Sequence, residues 1–221
     1  RNKKPITWKF KVRVLLDVAR AMVYLHSNMP SKAPVAHLDL KPANILLSTS
    51  SAKVADFGLS RGGQKTTGGE AVQSTFEYMA PEMYTGEGVG TAADLYSFGI
   101  IMWELLAQKR PLVGFPKEVC RQQHNAALVM LLHWVATDDL RPERPRDTYC
   151  PPAWAELMER CWAGKPRDRP RFPAVVDALK GMAAQVEDWA LQAEANKPQP
   201  EPKPKPKPKP QSEPEPAPQP E

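Results

Sequence analysis

Cysteine is scarce in this 221-residue sequence, which holds three: Cys120, Cys150 and Cys161. An odd number without the short spacings of metal ligands excludes a disulfide framework and predicts free thiols in a reducing compartment. Long apolar runs are also missing. The longest, around Phe98 to Ala107, is interrupted by Glu104 and falls short of the roughly 20 residues that cross a bilayer. The sequence therefore predicts no membrane segment, no targeting segment and a cytoplasmic location. Cations are in slight excess, with a formal net charge of +5 and a pI near 9.1. They are scattered, and no aromatic-rich basic motif accompanies them, so nucleic acid is not an expected partner. Large hydrophobes disappear altogether from Lys197 onward, where Pro alternates with Lys, Glu, Gln, Ala and Ser. Such a stretch cannot bury a core, and it predicts a disordered polyproline-II tail over 197–221 that suits an SH3- or WW-type partner.

What the sequence does hold is concentrated in His37-Leu38-Asp39-Leu40-Lys41-Pro42-Ala43-Asn44-Ile45-Leu46-Leu47. An acid, a cation and an amide stand at fixed offsets between apolar runs. Four such fixed positions arise by chance in a chain of this length on the order of once in a thousand. Asp56-Phe57-Gly58 and Ala80-Pro81-Glu82 follow in order. The residue types suit phosphoryl transfer. A hydroxyl is a poor nucleophile, and a carboxylate in reach, here Asp39, can orient it and take its proton. Phosphate charge calls for a divalent metal, and Mg2+ takes hard oxygens such as those of Asn44 and Asp56, with the nucleotide supplying others. Taken singly, these residues suit a turn Asp, a capping Asn and a solvated Lys; taken together, they suit a catalytic loop.

The three ordered motifs resemble those of the eukaryotic-type protein kinases. The resemblance covers roughly residues 5 to 185 and implies a mainly α fold, the kinase large (C-terminal) lobe, with short β-hairpins around the catalytic loop. The small lobe, with its Gly-rich loop, V-A-I-K lysine and helix glutamate, has no counterpart in the sequence, which reads as a fragment or an incomplete gene model. The implied organisation is a flank over 1–4, the large lobe over 5–186, a helix extension over 187–196 and the tail. Cys161-Trp162 and Arg167-Asp168-Arg169-Pro170-Arg171-Phe172 resemble the end of a tyrosine-kinase-like group domain. The resemblance further implies that Lys41 meets the transferring phosphoryl group and marks Ser/Thr specificity. It also implies that Thr75 contacts Lys41, that Leu46 floors the adenine of ATP, and that Arg169 pairs with Glu82. An ordinary core position stays open for Leu46.

In chain order, Val12, Leu15, Leu16, Ala19, Met22, Val23 and Leu25 fit one core helix over 7–27, with Thr7 as cap. Val35-Ala36-His37, Ile45-Leu46-Leu47 and Lys53-Val54-Ala55 suit small strands. Residues 59–79 carry Ser60, Thr66, Thr67, Ser74 and Thr75 among glycines, as a mobile activation segment would. Leu38 stands where many kinases place an arginine that holds a loop phosphate, so activity should depend little on phosphate at Thr66 or Thr67. The run from Asp94 to Leu106 reads as a central helix, apolar nearly all round. Asp94 suits either acceptance of catalytic-loop N–H groups or an N-cap. Residues 117–135 suit an amphipathic helix, Trp154 to Trp162 another, and 173–195 a single last helix. Two functional readings remain: a Ser/Thr kinase using ATP and Mg2+ on a protein hydroxyl, and a non-catalytic kinase-like module binding partners through this lobe and the tail.

Overall fold

Helix α1 (Trp8–His26) starts where Thr7 turns its hydroxyl to accept the Phe10 N–H at 3.2 Å. Trp8, Val12, Leu15, Ala19 and Met22 recur at three- and four-residue steps and are buried, as a stripe facing a core requires. Val14, Val18 and Lys11 are buried beside that stripe. Lys32 closes the far end, its ammonium donating to the carbonyls of Leu25 at 2.6 Å and Ser27 at 2.9 Å, where a helix leaves acceptors unpaired. In this computed structural model the described residues are 6–56, 76–86, 88–115 and 124–196, with backbone alone at Gly114 and over 124–129. Phe57, Gly58, Ser60, Thr66, Thr67, Ser74, Thr75, Cys120 and the 197–221 tail lie outside them.

Strands β1 (Ile45–Leu47) and β2 (Ala52–Val54) pair antiparallel, with Ile45 opposite Val54 and Leu47 opposite Ala52. Helix α1 holds this hairpin: Asp17 accepts the Ala52 N–H at 3.0 Å, and Arg13 donates to the Thr49 carbonyl at 2.8 Å. Residues Val35-Ala36-His37 form no strand. Their main chain is spent elsewhere, Val35 N–H on the Leu25 carbonyl at 3.0 Å and His37 N–H on Asp94, so no ladder is available to them.

The other described α-helices are α2 (Pro81–Thr85), α3 (Ala92–Ala107), α4 (His124–Thr137), α5 (Pro152–Cys161), α6 (Phe172–Ala183) and α7 (Val186–Ala195). α3 is buried on nearly every side from Ala93 to Trp103 and runs through the middle of the core. α5 packs directly on it. At Gly99 a Cβ would stand 3.0 Å from the Trp162 backbone nitrogen and 3.1 Å from the Met158 carbonyl oxygen, so the absence of a side chain sets the spacing of these two helices. α4 is described over His124–Thr137; the rest of the expected 117–135 span falls on residues 116–123, which are outside the description. None of the described helices is long and apolar enough to cross a membrane.

The expected single helix over 173–195 is two. Gln185 N–H reaches the Met182 carbonyl at 2.9 Å, a tight turn that redirects the chain. No Gly or Pro marks that break. Packing makes it: the bend returns Val186 and Trp189 to the core, where Trp189 meets the Trp8 ring edge-on at 5.4 Å. Trp154 meets Trp8 from α5 at 5.1 Å. Each such contact contributes about 0.5–1.5 kcal/mol beyond area burial, enough to offset a lost helical hydrogen bond.

The tightest long-range tie is the Arg169–Glu82 pair anticipated from the motifs. Nη1 lies 2.6 Å from one carboxylate oxygen of Glu82 and Nη2 lies 2.9 Å from the other, with the Arg169 side chain fully buried. The remaining donors go to the Ala163, Ala92 and Gly164 carbonyls at 2.8, 2.9 and 3.2 Å, which satisfies the guanidinium completely. Three segments, α2, the start of α3 and residues 163–164, are thereby fastened to one side chain. Arg169→Met should strand the Glu82 charge and lower unfolding stability by about 3–5 kcal/mol in urea titrations. A loss below about 1 kcal/mol would show that the pair does not hold α2 to the helical core.

Candidate active site

The site is built on the loop between α1 and β1, and that loop is anchored by a carboxylate from α3. Asp94, fully buried in the first turn of α3, accepts the His37 N–H at 2.8 Å and the Leu38 N–H at 2.7 Å. His26 adds its Nε2 at 2.8 Å. Of the two expected roles, loop anchor is the one observed; the residue preceding α3 is Thr91. Two main-chain donors converge on one carboxyl because Leu38 is bent into the left-handed region, φ +65°. A side chain with a Cβ resists that conformation at a cost of order 1–3 kcal/mol, and the charge-assisted hydrogen bonds offset it.

His37 is the second support. Its ring is fully buried, Nε2 donates to the Ala55 carbonyl at 3.1 Å, and Nδ1 accepts the Asp39 N–H at 3.2 Å. A carbonyl can only accept and an amide can only donate, so these partners select the neutral ring with its proton on Nε2. Ala55 N–H in turn donates to the Asn44 carbonyl at 2.9 Å. Residue 55 is pinned from both sides, and Asp56, the next residue, leaves it with φ +62°. This brings the expected metal-ligand segment to the catalytic loop.

Three of the expected residues meet directly. Asp39 Oδ2 receives the Lys41 ammonium at 2.8 Å and the Asn44 amide at 3.0 Å, with both charged side chains mostly buried. Asp39 Oδ1 is buried and has no hydrogen-bond partner among the described residues. One oxygen is neutralised and held; the other is left as an acceptor. Asn44 spends its amide nitrogen twice on Asp39, once on Oδ2 and once on the main-chain oxygen at 2.8 Å, so its carbonyl oxygen points away from that residue. That atom is a hard donor of the kind Mg2+ takes, and Asp56 offers a carboxylate. Among the described residues no cluster of three or more His, Cys, Asp or Glu could by itself hold a metal. The donor set therefore fits a metal completed by phosphate and water oxygens. Leu46 is not an ordinary core leucine: it is 59 % exposed on β1, while Ile45 beside it turns inward.

The sequence reading gave no role to His26, and named His37 only within the motif. Their signal lies in pairing across 68 and 57 residues, which a local pattern does not carry. It also missed the acidic group under the segment before Ala80. Tyr78 donates its hydroxyl to Glu104 on α3, Glu77 pairs with Arg110 at 2.8 Å, and Ser97 donates to the Tyr78 carbonyl at 2.7 Å. Burial pushes the carboxyls of Glu77 and Glu104 above their usual range, against the pull of Arg110.

An acid, a cation and an amide meet on one loop, and a second acid stands at the end of the adjoining hairpin. The model of the protein kinase domain matches residues 1–179, and the chain belongs to the protein kinase domain family. It is 35 % identical over 188 residues to a probable serine/threonine-protein kinase of Dictyostelium discoideum, covering 84 % of this chain and 16 % of that protein. It is 36 % identical over 197 residues to human receptor-interacting serine/threonine-protein kinase 3, covering 83 % of this chain and 35 % of that one. With mouse ankyrin repeat and protein kinase domain-containing protein 1 it shares 34 % identity over 175 residues, 76 % of this chain and 22 % of the relative. The chain thus spans about a third or less of the length of these curated relatives.

The buried carboxyls make a pH prediction. A folded pKa raised above the unfolded 4.5 means that the fold favours the protonated carboxyl. That contribution is complete below the unfolded value and is lost as pH rises through the folded one. Glu104→Gln keeps a polar partner for Tyr78 and removes the titration. Its thermal midpoint should fall less between about pH 5 and about pH 8 than that of the parent chain. Parallel curves would refute the link.

Proposed function

We propose that this chain is the large lobe of a protein serine/threonine kinase of the tyrosine-kinase-like group, transferring the γ-phosphoryl of ATP to a protein hydroxyl. The observation that carries this reading is the asymmetry of Asp39. Lys41 and Asn44 hold Oδ2, while Oδ1 stays buried without a partner among the described residues. An unpaired buried acceptor is costly, on the order of 1–3 kcal/mol. A hydroxyl donor relieves that cost, so Oδ1 is suited to orient a Ser or Thr side chain and receive its proton.

The other roles follow from where the side chains stand. Lys41, 2.8 Å from the base, brings a positive charge to the place where a transferred phosphoryl would pass. Asn44 and Asp56 are the residues that would hold Mg2+, with ATP phosphates as the remaining ligands. Mg2+, when bound, neutralises phosphate charge. Leu46, exposed beside the loop, would lie against the adenine. The Ser/Thr reading rests on Lys41 and on the similarity to serine/threonine-protein kinases. A cytoplasmic location and a tail partner of SH3 or WW type belong to the same proposal.

The test is phosphate transfer to a Ser/Thr peptide by this lobe joined to a nucleotide-binding small lobe. Asp39→Asn should lower turnover roughly 10²- to 10⁴-fold, with the fold preserved by circular dichroism. Turnover within about twofold of the parent would remove Asp39 as the base and favour a non-catalytic binding module.

A further inference from the structure

Away from the catalytic loop, the N-terminal turns of α1, the segment 147–149 and the end of α7 enclose a cavity of about 330 Å³. Lys11 lines it. That lysine is 3 % exposed, and it makes no hydrogen bond and no ion pair among the described residues. Its ammonium lies 4.3 Å from the centre of the Trp8 ring. A cation–π contact contributes about 0.5–2 kcal/mol, which is less than the cost of withdrawing an ammonium from water. Asp147 and Glu194 also line the cavity, and neither pairs with Lys11. The proposed chemistry at Asp39 makes no use of this amine.

We propose that Lys11 and the cavity beside Trp8 form a carbonyl-capture site, which takes small aromatic aldehydes as imines on Lys11 Nζ. The walls select the ligand. Trp8 and Tyr149 stand nearly perpendicular, 88°, with centroids 6.4 Å apart, and Ala190 and Ala193 keep one side shallow. Space for one ring is provided, and an uncharged ring meets apolar surface. The reaction balances without a redox partner: the amine lone pair attacks the carbonyl carbon, the carbonyl oxygen leaves as water, and a C=N bond remains.

Burial also supplies the reactive form. Desolvation lowers the Lys11 amine to about 8, against the usual 10.5, so a substantial neutral fraction exists near physiological pH. The groups that face this region are Asp147, Tyr149 and Cys150 ahead of α5, Gln108 at the end of α3 and Glu194 on α7. Of these, Cys150 as a thiolate would raise the Lys11 amine, but burial raises the thiol itself, which keeps it protonated and uncharged near neutral pH.

The experiment treats the full 221-residue chain with substoichiometric benzaldehyde and cyanoborohydride near neutral pH, then maps the benzylated lysines by peptide mass spectrometry. Lys11 should be labelled about tenfold or more above exposed Lys9, Lys53 and Lys180, with a labelling midpoint near pH 8. In guanidinium the preference should vanish. Labelling that follows exposure, with Lys11 behind Lys9, overturns the proposal. A Lys11 preference that survives unfolding overturns it as well, since the cavity would then play no part.

Discussion

A single carboxylate, that of Asp94, joins the hydrophobic core to the chemistry. It belongs to a helix that is buried on nearly all sides and cannot shift without disturbing the packing around Gly99. Its oxygens hold two consecutive main-chain N–H groups of the catalytic loop. The loop is short of regular hydrogen bonds of its own, and a left-handed Leu38 would not persist in it unaided. The rigidity of the core is thus exported through two hydrogen bonds to the residues before Asp39. His26 gives the same carboxylate a third donor and ties it to the end of α1, so the two longest helices position the loop together.

Arg169 also ties to the start of α3, through the Ala92 carbonyl. Five N–H donors meet carbonyls and a carboxylate, and none is spent on solvent. An arginine is suited to this because its planar fork matches a carboxylate in two places at once. Its ring neighbour Tyr96 also lies 5.0 Å from Arg141, which caps the Leu140 and Trp162 carbonyls. A buried and a partly buried cation, Arg169 and Arg141, therefore flank one tyrosine, and burial drives the hydroxyl of that tyrosine above its usual range.

Elements with a strong local signature were legible in the sequence. α1 carries a cap and a clean apolar stripe, and α3 is apolar all round, so both were read nearly to their ends. The grouping of Asp39, Lys41 and Asn44 was legible because their spacing is itself local. What failed was decided at a distance. Val35 to His37 has the composition of a strand, but its donors are claimed by Leu25 and Asp94. The turn at Gln185 has no breaker residue, and the docking of Trp189 on Trp8 decides it. Lys11 sits among the apolar positions of α1, where only the tertiary structure reveals a buried amine. That Asp39 Oδ1 has no partner among the described residues is likewise invisible to any pattern of residue types.

The imidazole of His37 spans from the Ala55 carbonyl to the Asp39 amide with both nitrogens engaged. A ring of fixed width, clamped at both edges and sealed from water, behaves as a spacer. It holds the main chain that enters Asp56 at a set separation from the main chain of Asp39. A displacement of the main chain at Ala55 would be passed through the ring to the main chain of Asp39. The register between the proposed base and the proposed metal ligand is therefore gauged by one aromatic side chain, and a substitution that alters its length would detune both at once.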